Sequence, residues 1–114
     1  MPFINSKVTT KISTEQEQKL KTELGKAIEL IPGKSEQWLM LNFEPEQRMY
    51  FQGDNSEDIA FIDVSIYGGE DREAFSKMTE AICRIYNEVL GISPDHIYVK
   101  YSPCTNWGWN GSNF

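Results

Sequence analysis

The residue of this chain best suited to chemistry is its second, Pro2, in the opening Met1-Pro2-Phe3-Ile4-Asn5. A small residue at this position favours removal of the initiator methionine, and the new terminus would be a secondary amine held in a ring. A free α-amino group titrates at about 7.7–8.0, so modest desolvation at the end of a buried strand would leave much of it neutral at physiological pH. A neutral amine can abstract a proton. With Met1 retained, the same nitrogen is an amide without basicity. The plainer reading of Pro2 is a residue that starts an edge strand, where a missing N–H does no harm. Other reactive side chains are few. Cys83 and Cys104 form neither a C-x-x-C pair nor a metal-ligand spacing, and the chain has a single histidine, His96. That is little material for a zinc or Cys/His centre, so no metal site is expected. Both thiols read as reduced structural groups. His96 reads as a surface or packing residue without a partner to orient it, Asp63 as part of a polar strand face and Asp71 as a helix cap.

The elements that must hold Pro2 follow from periodicity. The first strand ends at Val8-Thr9-Thr10, after which Ser13 or Thr14 can cap a helix, with Gln16 and Glu17 three residues on completing either capping box. Leu20, Leu24, Ala27, Ile28 and Ile31 form one apolar stripe at the helical period, and Pro32-Gly33 stops it. Trp38-Leu39-Met40-Leu41 is a continuous apolar run leading to Phe43 and cut by Pro45, which predicts a second strand buried on both faces. A polar loop from Glu44 to Asp58 then joins two halves. Ile59-Ala60-Phe61-Ile62, continued by Val64 and Ile66, predicts a third strand ended by Gly68-Gly69. Asp71 caps a second helix whose stripe is Phe75, Met78, Ile82, Ile85, Tyr86 and Val89, closed by Gly91. Ile97–Tyr101 predicts a fourth strand, and the aromatic tail from Asn106 to Gly111 predicts a docked strand or turn.

The two halves match at one ungapped offset of 58 residues (61 − 3): Phe3 with Phe61, Leu20 with Met78, Gly33 with Gly91, Pro45 with Pro103, and the cap Ser13 with Asp71. A single domain over 1–114 is therefore expected, built of β-α-β pseudo-repeats 2–52 and 58–114. The fold class is α+β, a four-stranded mixed sheet with two helices on one face and short extra strands. Two helices cover one face only, while strands two and three read as apolar on both, so a homo-oligomer on the open face is expected. Function is sought where the halves differ. Pro2 answers to Ala60 and Lys34 to Ile92, and both fall near one end of the sheet. A cation beside the amine would depress its pKa further and could hold a substrate carboxylate. A solvated loop lysine is the alternative. A formal charge of −6 argues against a nucleic-acid partner, and no apolar run approaches a membrane span. The chain reads as cytoplasmic.

The opening Met-Pro-Phe-Ile, Pro32-Gly33-Lys34, the strand end Ser65-Ile66 followed by Gly68-Gly69, the string Ile92-Ser93-Pro94-Asp95-His96-Ile97-Tyr98 and the ending Trp107-Gly108-Trp109-Asn110-Gly111-Ser112-Asn113-Phe114 together resemble the macrophage migration inhibitory factor family of the tautomerase superfamily. The likeness spans the chain. It implies a homotrimer of β-α-β-β-α-β subunits with active sites at subunit boundaries. It also implies a cofactor-free keto-enol tautomerase, with Pro2 as general base on a small arylpyruvate such as phenylpyruvate. By the same resemblance Lys34 would hold the carboxylate and Ile66 would offer its backbone N–H. Tyr98 of a neighbouring subunit would line the aromatic end of the pocket with Phe3, Trp38 and Phe114.

Some positions depart from the family's usual pattern. Lys100 stands where an asparagine is common and Trp107 where a smaller apolar residue is usual, which bears on substrate preference. The C-x-x-C reported for some animal members is absent, which removes a thiol-disulfide reading. The alternative function is a cytokine-like mimic that engages a protein receptor through its trimer surface, released without a signal peptide.

Overall fold

Local chemistry starts each element of the computed structural model, which describes residues 1–114. Strand β1 runs Pro2–Val8. Ser13 Oγ then accepts from Gln16 N while Ser13 N donates to the Gln16 side chain, a capping box that opens α1, Thr14–Ala27. The expected stripe is buried throughout. The α-helix itself stops at Ala27, and a 3-10 turn over Ile28–Leu30 carries the stripe on to Pro32-Gly33. A second 3-10 turn, Glu36–Trp38, precedes β2, Met40–Glu44. Strand β3, Ala60–Tyr67, leads to α2, Arg72–Leu90, which Asp71 caps through Ala74 N and Gly91 closes at φ 72°. Strand β4 is Ile97–Cys104. The tail folds into a hairpin of β5, Gly108–Trp109, and β6, Ser112–Asn113. Its Asn110-Gly111 turn has φ of 51° and 86°, the positive pair that a tight hairpin favours.

The sheet order is β2-β1-β3-β4, with β1 parallel to β2, β3 parallel to β4, and β1 antiparallel to β3. Alternation sets the layers: Pro2, Ile4, Ser6 and Val8 of β1 and Ala60, Ile62, Val64 and Ile66 of β3 are buried beneath the helices, and the residues between them face out. This is the mixed sheet with two helices on one face that the periodicity predicts. Elements of the two halves start 58 positions apart, as Pro2 with Ala60 (60 − 2), Thr14 with Arg72 (72 − 14) and Glu36 with Pro94 (94 − 36) show.

Two expectations require correction. The run Trp38–Leu41 is not a strand buried on both faces: Trp38 belongs to the 3-10 turn, and Met40, the first residue of edge strand β2, is 67% exposed. Nor is the outer face apolar. Asn5 donates to Glu44 at 2.9 Å, Asn42 donates to Asn5 at 2.8 Å, and Lys100 pairs with Asp63 at 3.8 Å. The argument for an oligomer built on a second apolar face therefore loses its premise. Strand β4 also runs three residues past Tyr101 (104 − 101), through Pro103, which an edge strand tolerates.

The core contains one buried polar pair joining sheet to helix. Ser6, fully buried on β1, shares a hydrogen bond with Tyr86 of α2, and burial pushes the Tyr86 phenol well above its ordinary range. Tyr86→Phe leaves the Ser6 hydroxyl buried without a partner and is expected to cost about 1–3 kcal/mol. The double variant Ser6→Ala/Tyr86→Phe should recover part of that loss in denaturant unfolding, because no orphaned hydroxyl remains.

Candidate active site at the start of the first strand

Three separated segments meet where β1 begins. The antiparallel pairing sets Pro2 opposite Ile66, so the chain start lies beside the end of β3. Because β2 is parallel to β1, the connection after α1 returns to the same end and brings Lys34 with it. Gly33, at φ 81°, makes that turn, and Lys34 N donates back to Ile31 O at 3.1 Å. Lys34 Nζ then donates to the Tyr67 carbonyl at 2.6 Å, and Tyr67 N donates to the Met1 carbonyl at 3.0 Å. Tyr67 thus holds both the lysine and the chain start through its backbone.

In the unprocessed chain the free amine is that of Met1, and the buried Pro2 ring nitrogen is an amide. The pKa of this amine is lowered, first by burial, then by the Lys34 charge and by a hydrogen bond with the Lys34 side chain. Loss of Met1 would move the amine one residue inward, onto the buried Pro2. A cavity of about 250 Å³ at Lys34 is lined by Pro32, Ile66, Tyr67, Gly68 and Gly69 among others, and neither Met1 nor Pro2 lines it. Gly68 in this wall has φ 134°, a backbone conformation that favours glycine, while a Cβ there would meet Lys34 Nζ only in ordinary contact at 3.8 Å.

Aromatic rings surround the same end. Phe114 lies 5.2 Å from Tyr67 between ring centroids, and its N donates to the carbonyl of half-buried Trp107 at 3.1 Å. Trp109 packs edge-on against Trp38 at 5.1 Å. Of the expected site residues, Pro2, Lys34 and Ile66 converge; the Ile66 side chain is buried beneath them, and the backbone N–H aimed at the chain start is that of Tyr67. Phe3 is half-buried on the outer face between Met40 and Ser65. Tyr98 and Lys100 do not join this group within one chain. Tyr98 pairs with Phe61 near the opposite end of the sheet and Lys100 with Asp63 at mid-strand, and Phe61 is five residues, roughly 16 Å, from Ile66 along β3. Sequence reasoning missed Tyr67, whose contribution is backbone only, and Trp109. The spacing Trp107-Gly108-Trp109 carried a signal for Trp109, since neighbours two apart in a strand share a face.

A basic side chain beside a partly dry amine suits proton transfer on a small anion. The macrophage migration inhibitory factor family model matches residues 1–114, and the chain belongs to that family, within the tautomerase superfamily. It is 33% identical over 100 residues to the macrophage migration inhibitory factor of Meriones unguiculatus, covering 83% of this chain and 84% of that one. The mouse protein of the same name is 31% identical over 97 residues, with 82% of each chain covered. Among solved structures, MIF2 of Leishmania major superposes with a TM-score of 0.92 at 28% identity, over 100% of this chain and 97% of that one. The homologue from Prochlorococcus marinus gives 0.86 at 30% identity, over 98% of each chain. The scaffold thus carries the potential for tautomerase-type catalysis. No helix is long and apolar enough to cross a membrane.

The cation next to the amine provides a direct test. Lys34→Gln should raise the pKa of the N-terminal amine back toward the ordinary range of about 7.7–8.0, because it removes a charge that disfavours the ammonium. Burial, the larger cause, stays in place, so recovery should be partial. Amine-selective labelling as a function of pH, read by mass spectrometry, measures it.

Proposed function

We propose that the processed chain is a cofactor-free keto-enol tautomerase acting on arylpyruvates such as phenylpyruvate, with Pro2 as general base. The observation that carries this reading is the place of Lys34 at the chain start: a cation held by the Tyr67 carbonyl at 2.6 Å, beside a terminal amine, that of Met1 in the unprocessed chain, whose pKa is lowered by burial and by Lys34. With Met1 removed, the neutral Pro2 nitrogen takes a proton from the carbon next to the ketone as the C=O electrons move onto oxygen, and delivers it to that oxygen to give the enol; in the reverse direction it takes the enol O–H proton and delivers it to the carbon. Lys34 holds the substrate carboxylate by a charge-assisted hydrogen bond and keeps the amine unprotonated. Ile66 and Tyr67 border the carboxylate end. Trp38, Phe114 and Trp109 supply the aromatic wall, with Trp107 and Phe3 at its margin.

Tyr98 and Lys100 would enter this site from another subunit, since within one chain Tyr98 stands at the far end of the sheet and Lys100 at its middle. The proposed assembly is a homotrimer in which edge strands β2 and β4 meet neighbouring chains. Lys100, already paired with Asp63 at 3.8 Å, brings a partly neutralised charge. A second reading, receptor engagement by the trimer surface after release from the cell, draws on the likeness to animal proteins named macrophage migration inhibitory factor. It is compatible with the first.

Pro2→Gly in the processed protein should lower kcat/KM for enol-phenylpyruvate by roughly 10²–10⁴-fold. Lys34→Ala should raise KM by roughly ten- to a hundred-fold, the worth of a charge-assisted hydrogen bond. Both variants should sediment at three times the chain mass. Unchanged turnover in Pro2→Gly, with Met1 shown by mass spectrometry to be absent, would refute the catalytic reading; receptor binding by that inactive variant would support the second.

A further inference from the structure

The sheet end opposite Pro2 carries a cluster that the proposed chemistry does not use. His96 closes the 3-10 turn Pro94–His96 and occupies the place in the second half that Trp38 has in the first (96 − 38 = 58). Its side chain is only 16% exposed, and both ring nitrogens face carboxylates: Nε2 lies 3.3 Å from Glu57 and Nδ1 2.7 Å from Asp95. A neutral imidazole has one N–H and one lone pair, so it cannot donate to both. An imidazolium can. Asp95 is itself held by Ser93 Oγ at 2.6 Å, so the turn side of the pair is anchored.

Glu57 belongs to the linker between β2 and β3, and the same linker sends an aromatic ring to this place. Phe51 and Asp54 exchange backbone hydrogen bonds of 2.9 and 3.0 Å around Gln52 and Gly53, both at positive φ, which makes a tight hairpin. That hairpin presents Phe51 edge-on to His96 at 5.3 Å and to Tyr98 at 5.2 Å, the latter with an interplanar angle of 90°. Tyr98 is otherwise 60% exposed.

We propose that His96 is a pH-operated latch: as imidazolium it ties the linker to the 94–96 turn and holds Phe51 against Tyr98, and on losing its proton it releases both. The charged groups facing it are Glu57 and Asp54 from the linker and Asp95 from its own turn. The Asp95 hydrogen bond, aided by the charges of Glu57, Asp95 and Asp54 and opposed by desolvation, holds the His96 pKa above its ordinary value. Asp95 is lowered, chiefly by Ser93 and then by His96, and Asp54 is lowered by hydrogen bonds from Ser56. The latch is therefore fully formed below the ordinary histidine value of about 6.5 and is lost as pH rises through the raised value in the folded protein. If Tyr98 lines a neighbour's pocket, an extension that rests on the function proposed above, the latch regulates that pocket; the latch itself requires only this chain.

Amide hydrogen exchange by NMR on the full chain tests it, with His96 ring shifts followed from pH 5 to 9 and rates corrected for intrinsic exchange. Protection at Phe51 and Asp54 should fall roughly two- to five-fold, the scale of a partly exposed ion pair, with the midpoint of the His96 titration. His96→Gln should show the low protection at every pH, and Glu57→Gln should lower the His96 midpoint and shrink the change. Protection that ignores the His96 midpoint in the wild type, or a His96→Gln protein with the wild-type profile, overturns the latch. KM for enol-phenylpyruvate that moves with the same midpoint supports the regulatory extension, and KM that stays flat while the linker moves overturns it. Absence of turnover alone refutes the catalytic reading and leaves the exchange result to decide the latch.

Discussion

The antiparallel pairing of β1 with β3 is the constraint on which the rest depends. It joins the two β-α-β halves through their first strands, seven residue pairs from Pro2 with Ile66 to Val8 with Ala60. Each half on its own would be two parallel strands and a helix, with one apolar sheet face only half covered. Joined, the halves bury Ile4, Val8, Ile62 and Val64 completely or nearly so under both helices. The same pairing decides where the chain begins in space. An antiparallel neighbour puts the start of β1 at the end of β3, and the parallel neighbour β2 returns the α1 connection there too. Amine, lysine and the Tyr67 carbonyl are brought together by topology before any side chain chooses a rotamer.

That convergence has an electrostatic consequence. Two cations close together in a partly dry place disfavour one another's charge. Lys34 has the Tyr67 carbonyl at 2.6 Å, whereas the amine is disfavoured as ammonium by burial and by Lys34 itself. The asymmetry is built into backbone geometry, which makes it rigid. At the other sheet end the charges balance differently. His96 lies among carboxylates, so its cationic form is the favoured one. One end of the molecule lowers a base toward neutrality and the other raises one toward charge, using corresponding turns of the two halves.

Elements governed by neighbours in sequence were legible before the structure, and those governed by distant contacts were not. The Ser13–Gln16 box, the Asp71 cap and the Gly91 stop are local hydrogen-bond chemistry, and each occurs where its residues stand. The run Trp38–Leu41 misled because four apolar residues in a row resemble a doubly buried strand. In fact the Trp38 ring satisfies itself against Trp109, a partner 71 positions away (109 − 38) that no local window contains. Strand β4 ran on through Pro103 because it lies at an edge, a fact about sheet order rather than composition. For the site, residue type pointed to Pro2 and the comparison of halves to Lys34. The role of Tyr67 was invisible, because a backbone carbonyl has no signature in side-chain chemistry.

The polar outer face changes what an assembly would have to bury. Asn5, Asn42 and Glu44 form a hydrogen-bonded row and Lys100 pairs with Asp63, so this face tolerates water and gains little from exclusion. The edges are different. β2 and β4 have neighbours on one side only within the chain, and an unpaired strand edge presents a row of donors and acceptors suited to another strand. Strand β2 adds the exposed side chain of Met40, and β4 carries the exposed ring of Tyr98. Contact along these edges would pair backbone groups, cover both side chains and leave the polar face free to line a wet interior.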